Sequence, residues 1–194
     1  KERIEIKPKG VNTLVIEHPN MLYEFVSSLI STLCKENSKL FFVKDSEEMT
    51  NFKSIFFINN MFDIDINNKR FLTILHKEII KDLQTNMHEL NSCYQQIYSI
   101  INNITDTFLS PITINEAVDY VNLIKLFNPT IISESDKLFD KIIDFVDVAI
   151  EFSELELLIL LNVEDYLTKE EVTELIKVCN YKEVMLLFIQ GRRN

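Results

Sequence analysis

Apolar positions recur along this chain with two different periods, and the switches between them mark the elements. Residues 3–7 alternate charged and aliphatic side chains, the pattern of a half-buried strand, and 13–17 is a second short β-branched run. After His18-Pro19-Asn20 the period lengthens. Leu22, Phe25, Val26, Leu29, Ile30 and Leu33 fall at steps of three and four, which predicts a helix opened by Pro19 and ending near Asn37. Residues 40–43 and 55–58 are continuous apolar runs of strand length, expected to join the first strands in a buried sheet.

Helical spacing returns over 67–85 through Leu72, Leu75, Ile79 and Leu83, with Lys77 and Lys81 together on a different face. The next helix has the most regular pattern of all: Met87, Leu90, Tyr94, Ile97, Ile101, Ile104 and Phe108 form a heptad seam. Two explanations fit it: packing on the preceding helix as an antiparallel hairpin, or contact with another subunit. Ser110-Pro111 closes this helix, 112–114 is strand-like, and Asn115 is placed to cap a helix running to Phe127, where Asn128-Pro129 stops it. A helix over about 134–152 is predicted by Leu138, Ile142, Phe145, Val146 and Ala149.

The last unit is the most explicit. A buried strand over 155–162 precedes Thr168-Lys169-Glu170-Glu171, which fits a capping box, then a helix through Val172, Leu175, Ile176 and Cys179, then a strand over 184–189. Strand, helix and strand in succession favour a parallel crossover. The expected fold is α/β, with a head domain from 1–66 and 153–194 and an inserted, mainly helical domain from 67–152.

Composition removes several functions. The 194 residues contain only two glycines, Gly10 and Gly191, where average usage would supply roughly fourteen. A Walker A loop or a dinucleotide fingerprint needs several glycines near one another, so neither motif exists here. HExxH and Gly-x-Ser-x-Gly are absent, and His18, His76 and His88 lie on separate elements, so no catalysis is expected. Cys34, Cys93 and Cys179 are odd in number and widely spaced, as expected of thiols in a reducing cytosol. With no apolar signal core at the start and no run long enough to span a bilayer, a cytoplasmic protein is expected.

Charge complicates the choice of partner. Twenty Lys+Arg face thirty Asp+Glu, a formal charge of -10, which by itself predicts no nucleic-acid partner. Acidic residues recur at Asp136, Asp140, Asp144 and Asp147, at Glu116 and Asp119, and at Asp63 and Asp65. Such edges supply hard cations or simply form solvated faces, partly neutralised by Lys137 and Lys141 in the first case. The cations gather at Lys69, Arg70, Lys77 and Lys81, at Lys137 and Lys141, at Lys125, and at Arg192 and Arg193. A ring of identical subunits would multiply each pair, so an acidic chain can still line a basic channel.

A family resemblance rests on specific segments. Leu157-Leu158-Ile159-Leu160-Leu161-Asn162, Tyr166-Leu167-Thr168-Lys169-Glu170-Glu171-Val172 and Leu186-Leu187-Phe188-Ile189 before Arg192 resemble the C-terminal half of the Csn-two proteins, the type II-A CRISPR adaptation family. Leu14-Val15-Ile16-Glu17, Asp65-Ile66-Asn67 with Leu75-His76, and Ser135-Asp136 with Phe139 resemble its earlier parts. The resemblance implies a head shaped like a P-loop ATPase but without nucleotide motifs, a helical extension, and a homotetrameric ring. It further implies binding of double-stranded DNA, preferentially its ends, a supporting role for calcium, and spacer acquisition in antiviral defence beside the CRISPR integrase pair and the effector nuclease. No catalytic activity and no nucleotide are implied.

Carried over by position, the resemblance puts calcium at Glu116 and Asp119, although the neighbouring Ile112, Ile114 and Ala117 have no ligating side chains. Lys125 matches a basic position, and a tail beyond Asn194 is expected. Lys125, Lys137, Lys141, Lys77 and Lys81 are the expected phosphate contacts. The alternative is a helical protein-protein scaffold whose seam and acidic faces bind proteins and no DNA.

Overall fold

The computed structural model describes residues 4–36 and 40–192. In chain order the described residues form β1 (Val11–Val15), α1 (Pro19–Leu33), β2 (Val43–Lys44), β3 (Glu47–Glu48), β4 (Ile55–Ile58), α2 (Lys69–Thr85), α3 (Met87–Thr105), α4 (Tyr120–Phe127), α5 (Leu138–Ser153), β5 (Leu157–Leu161), α6 (Lys169–Tyr181) and β6 (Met185–Gln190). The fold class is mixed α/β, as expected. Contacts divide the chain into two compact units, Lys1–Ile66 with Ile132–Asn194, and Asn67–Ile131. Residues 132–152, expected in the helical domain, therefore group with the sheet.

That sheet is four-stranded and parallel, in the order β1-β6-β5-β4. A parallel sheet must be covered on both faces, which is why β5, and β6 as far as Ile189, read as unbroken apolar runs. Alternate residues sort by face. Ile55, Leu157, Ile159, Leu187 and Ile189 cluster with Leu29 of α1, with Leu22, Phe25 and Leu33 packed around them. The opposite face is covered by α5, whose Phe145 meets Phe56 edge to face at 5.3 Å, and by α6, which packs on β6 and α5. Leu175 and Cys179 of α6 are fully buried, and burial pushes the Cys179 thiol up to about 12, leaving it protonated and inert.

The capping box opens α6 as predicted. Thr168 Oγ1 accepts the Glu171 amide at 3.2 Å, and Glu171 Oε2 accepts the Thr168 amide at 2.8 Å. The β5-α6-β6 crossover is parallel, also as predicted.

Several expectations give way to local chemistry. The described part of the 3–7 segment is not a strand: the Asn12 side chain holds the Lys7 amide and carbonyl, at 2.8 and 3.1 Å, and Gly10 turns the chain at φ +84°. The first strand is Val11–Val15 rather than 13–17. The first helix ends at Leu33, and its expected end near Asn37 falls outside the described residues. The 40–43 run contributes only Val43 to a strand, which pairs with β3 in a separate two-stranded ribbon instead of joining the sheet. Residues 112–114 form no strand, and Asn115 caps no helix; α4 starts at Tyr120, capped by Asp119.

Candidate nucleic-acid interface

The helical unit positions three of the expected lysines. Asn68 caps α2 by accepting the amides of Arg70 and Phe71 at 3.1 and 3.2 Å, and α2 packs on α4 and α3. Its far register is fixed by His76, whose Nε2 lies 3.3 Å from the Pro129 carbonyl. The unit closes on itself through Asn67, whose Nδ2 donates to the Ile131 carbonyl at 2.9 Å while its Oδ1 accepts the Ile131 amide at 2.8 Å. On this frame Lys77 and Lys81 are exposed a turn apart. Lys81 has a solvent-exposed contact with Glu78 at 3.3 Å, too weak to neutralise it. Lys125 is exposed in the last turn of α4, where the carbonyl end of the helix favours a cation.

Lys137 and Lys141 belong to the other unit. They are exposed at the start of α5, where the Lys137 carbonyl accepts the Lys141 amide at 3.0 Å. The acidic edge interleaved with them is partly engaged: Ser133 donates to Asp144, and Asp147 pairs with Lys182 at 2.6 Å. Of the other cations, Arg70 is half-buried and Arg192 stands 3.8 Å from Asp165. Arg193 lies outside the described residues.

The expected calcium positions have local roles. Asp119 is the α4 cap, accepting the Asn122 amide at 3.0 Å on Oδ1 and the Asn122 side-chain amide at 2.7 Å on Oδ2. Glu116 accepts the Tyr98 hydroxyl at 3.2 Å. Desolvation first, then the bond to the Glu116 carboxylate and its charge, raise the Tyr98 hydroxyl above its ordinary range. Tyr94 donates to the carbonyls of Asn115 and Ala117 at 3.0 and 3.1 Å. Two tyrosines thus pin the irregular segment before α4 onto α3, a role that the heptad reading of Tyr94 concealed. Calcium takes roughly six to eight oxygens. Among the described residues no group of three or more His, Cys, Asp or Glu side chains is placed to hold a metal ion, and Glu116 and Asp119 are engaged with Tyr98 and Asn122.

The seam of α3 is largely uncovered. Ile97, Ile101 and Ile104 are 56, 44 and 56% exposed and no α3 residue is buried, while Phe108, expected on the same helix, lies beyond its end at Thr105 and is 58% exposed. Glu89 is the one Asp, Glu, Lys or Arg in the helix, so even its polar face, with Asn91, Ser92, Gln95 and Ser99, is uncharged. A solvent-facing helix ordinarily carries charge opposite its apolar stripe. Packing on α2 therefore does not account for the seam.

No described helix is long and apolar enough to cross a membrane. Residues 34–194 match the family described as CRISPR-associated protein (Cas_Csn2). A protein named CRISPR-associated protein Csn2, from Streptococcus agalactiae, is 24% identical over 186 residues, which cover 93% of this chain and 81% of that one. With a family match running through α2 to α6 and the whole central pair of strands, the chain belongs to the Csn2 family of CRISPR-associated proteins.

Proposed function

We propose that the chain is a non-enzymatic protein of CRISPR spacer acquisition that binds double-stranded DNA, preferring ends, as a homotetrameric ring acting beside the integrase pair and the effector nuclease. The observation that carries this reading is the bare, almost uncharged seam of α3, which fits a helix meant to be covered by another copy. Assembly reconciles the net charge of -10 with DNA, because each exposed lysine group recurs in every subunit. Lys77, Lys81 and Lys125 on one unit, and Lys137 and Lys141 on the other, are the proposed phosphate contacts. Such contacts give affinity without sequence preference. Calcium held by Glu116 and Asp119 would draw its remaining oxygens from backbone carbonyls, water or a neighbouring copy, and no step of binding is assigned to it.

Binding of linear and closed circular duplexes across a salt series, with and without calcium, tests the reading. Linear duplex should bind, its affinity should fall linearly in log-log form with salt, and Lys77→Glu with Lys81→Glu should flatten that slope. Light scattering should return a tetramer. Negligible binding of both duplexes at low salt would end it. The same exposed seam also favours a second reading, a protein-protein scaffold; there, charge reversal of the lysines leaves partner binding intact.

A further inference from the structure

Outside the lysine groups, one surface of the sheet unit combines exposed aromatic area with a run of acidic residues. Phe62 follows β4 and Tyr166 follows β5, neighbouring strands, so both lie at the carboxyl end of the sheet. Their rings meet at 5.5 Å and 89°, edge to face. Phe62 is nevertheless 84% exposed and Tyr166 48%, which leaves ring faces open to solvent.

Neither ring is out by looseness of the chain. Met61 beside Phe62 is buried, and Asn60 ties the turn, its Oδ1 accepting the Phe62 amide at 3.1 Å and its carbonyl the Asp63 amide at 3.2 Å. Tyr166 is set between buried Val163 and Leu167, and its amide donates to the Val163 carbonyl at 3.1 Å. Inward anchors on each side turn the aromatics outward. Asp63 adjoins one ring, and Glu164 with Asp165 the other. Arg192 makes only a long, solvent-exposed contact with Asp165, at 3.8 Å, weak enough for a partner's guanidinium to displace.

We propose that this acid-flanked aromatic pair docks an arginine-bearing segment of a partner protein. A guanidinium satisfies both parts of the surface, since it stacks on an aromatic face and forks onto a carboxylate. The charge disfavours the other occupants. Phosphate would meet carboxylates, and a symmetric second copy would set acid against acid. The proposal is independent of the DNA reading and of the α3 seam.

The test titrates the full chain with a labelled arginine-leucine-arginine peptide and with its glutamate counterpart, read by fluorescence anisotropy. The arginine peptide should bind and the glutamate peptide should not. Phe62→Ala and Asp165→Asn should each weaken binding by about tenfold, the scale of a central contact in an interface. Duplex affinity and oligomer mass should stay unchanged in both variants. Should Phe62→Ala fail to fold by circular dichroism, Asp165→Asn, at an exposed carboxylate, decides alone. No binding of the arginine peptide, equal binding by wild type and variants, loss of duplex affinity, or a change of oligomer mass would each overturn the proposal.

Discussion

The two units bury their apolar residues to very different extents. In the sheet unit Leu158, Ile159, Leu160, Leu186, Phe188 and Ile189 are fully buried, and helices cover both faces. In the helical unit α3 has no buried residue and its seam is open, although its apolar spacing is the most regular in the sequence. Regular spacing states that a face is meant to be covered; it does not say by what. The strands find their cover within the chain, whereas α3 does not.

The largest effect should come from the core. Phe188→Ala removes a fully buried ring and should cost about 3 to 5 kcal/mol of unfolding free energy. Ile101→Ala, at 44% exposure, should cost under about 0.5 kcal/mol in dilute protein, as surface changes do. Urea unfolding at low concentration measures both. Comparable losses would mean that α3 is packed inside its own chain, and the contrast would be gone.

A smaller effect should separate the units from each other. Asn67→Ala leaves the Ile131 amide and carbonyl without their partner and should cost about 1 to 3 kcal/mol. Hydrogen exchange should show faster amides in α2 and α4 and unchanged protection in β5 and β6. Spread of the loss into the sheet would show that the two are one cooperative body.

The smallest effect concerns backbone strain in the sheet unit. Glu183, between α6 and β6, holds φ at +60°, a conformation that glycine adopts freely and a side chain resists. Glu183→Gly should raise the melting temperature, by a stability gain of no more than about 1 kcal/mol. A fall in melting temperature would mean that its side chain contributes more than the backbone loses.

The parts legible in the sequence are those whose causes are local or saturated. The Thr168 to Glu171 box is reciprocal within one turn, so its four residues suffice to start α6. The runs at β5 and β6 have no polar position to place outward, which admits only a two-sided burial. Residues 3–7 alternate equally well, yet their described part forms no strand. Asn12 satisfies Lys7 from the side and also donates to the Leu186 carbonyl at 2.9 Å, an outcome set by a residue outside the pattern.

The candidate site was legible only in part. Exposure of Lys77, Lys81, Lys125, Lys137 and Lys141 follows from their spacing, but their division between two units depends on where α5 packs. Asp119 shows the converse difficulty. A carboxylate suited to a cation is equally suited to the first amides of a helix, and a single residue's chemistry cannot separate the two. The tyrosines that engage the neighbouring segment act across a chain separation that no local pattern records.

The Asn67 to Ile131 clasp also bears on how the sheet is reached in the first place. β4 and β5 pair side by side, yet all of residues 59–156 must loop out between them, and the entropy of closing a loop grows with the logarithm of its length. Once Asn67 holds Ile131, residues 68–130 no longer count towards that tether, which lowers the closure cost by about 1 kcal/mol. To the growing sheet, an inserted lobe clasped at its own base is only a short connection.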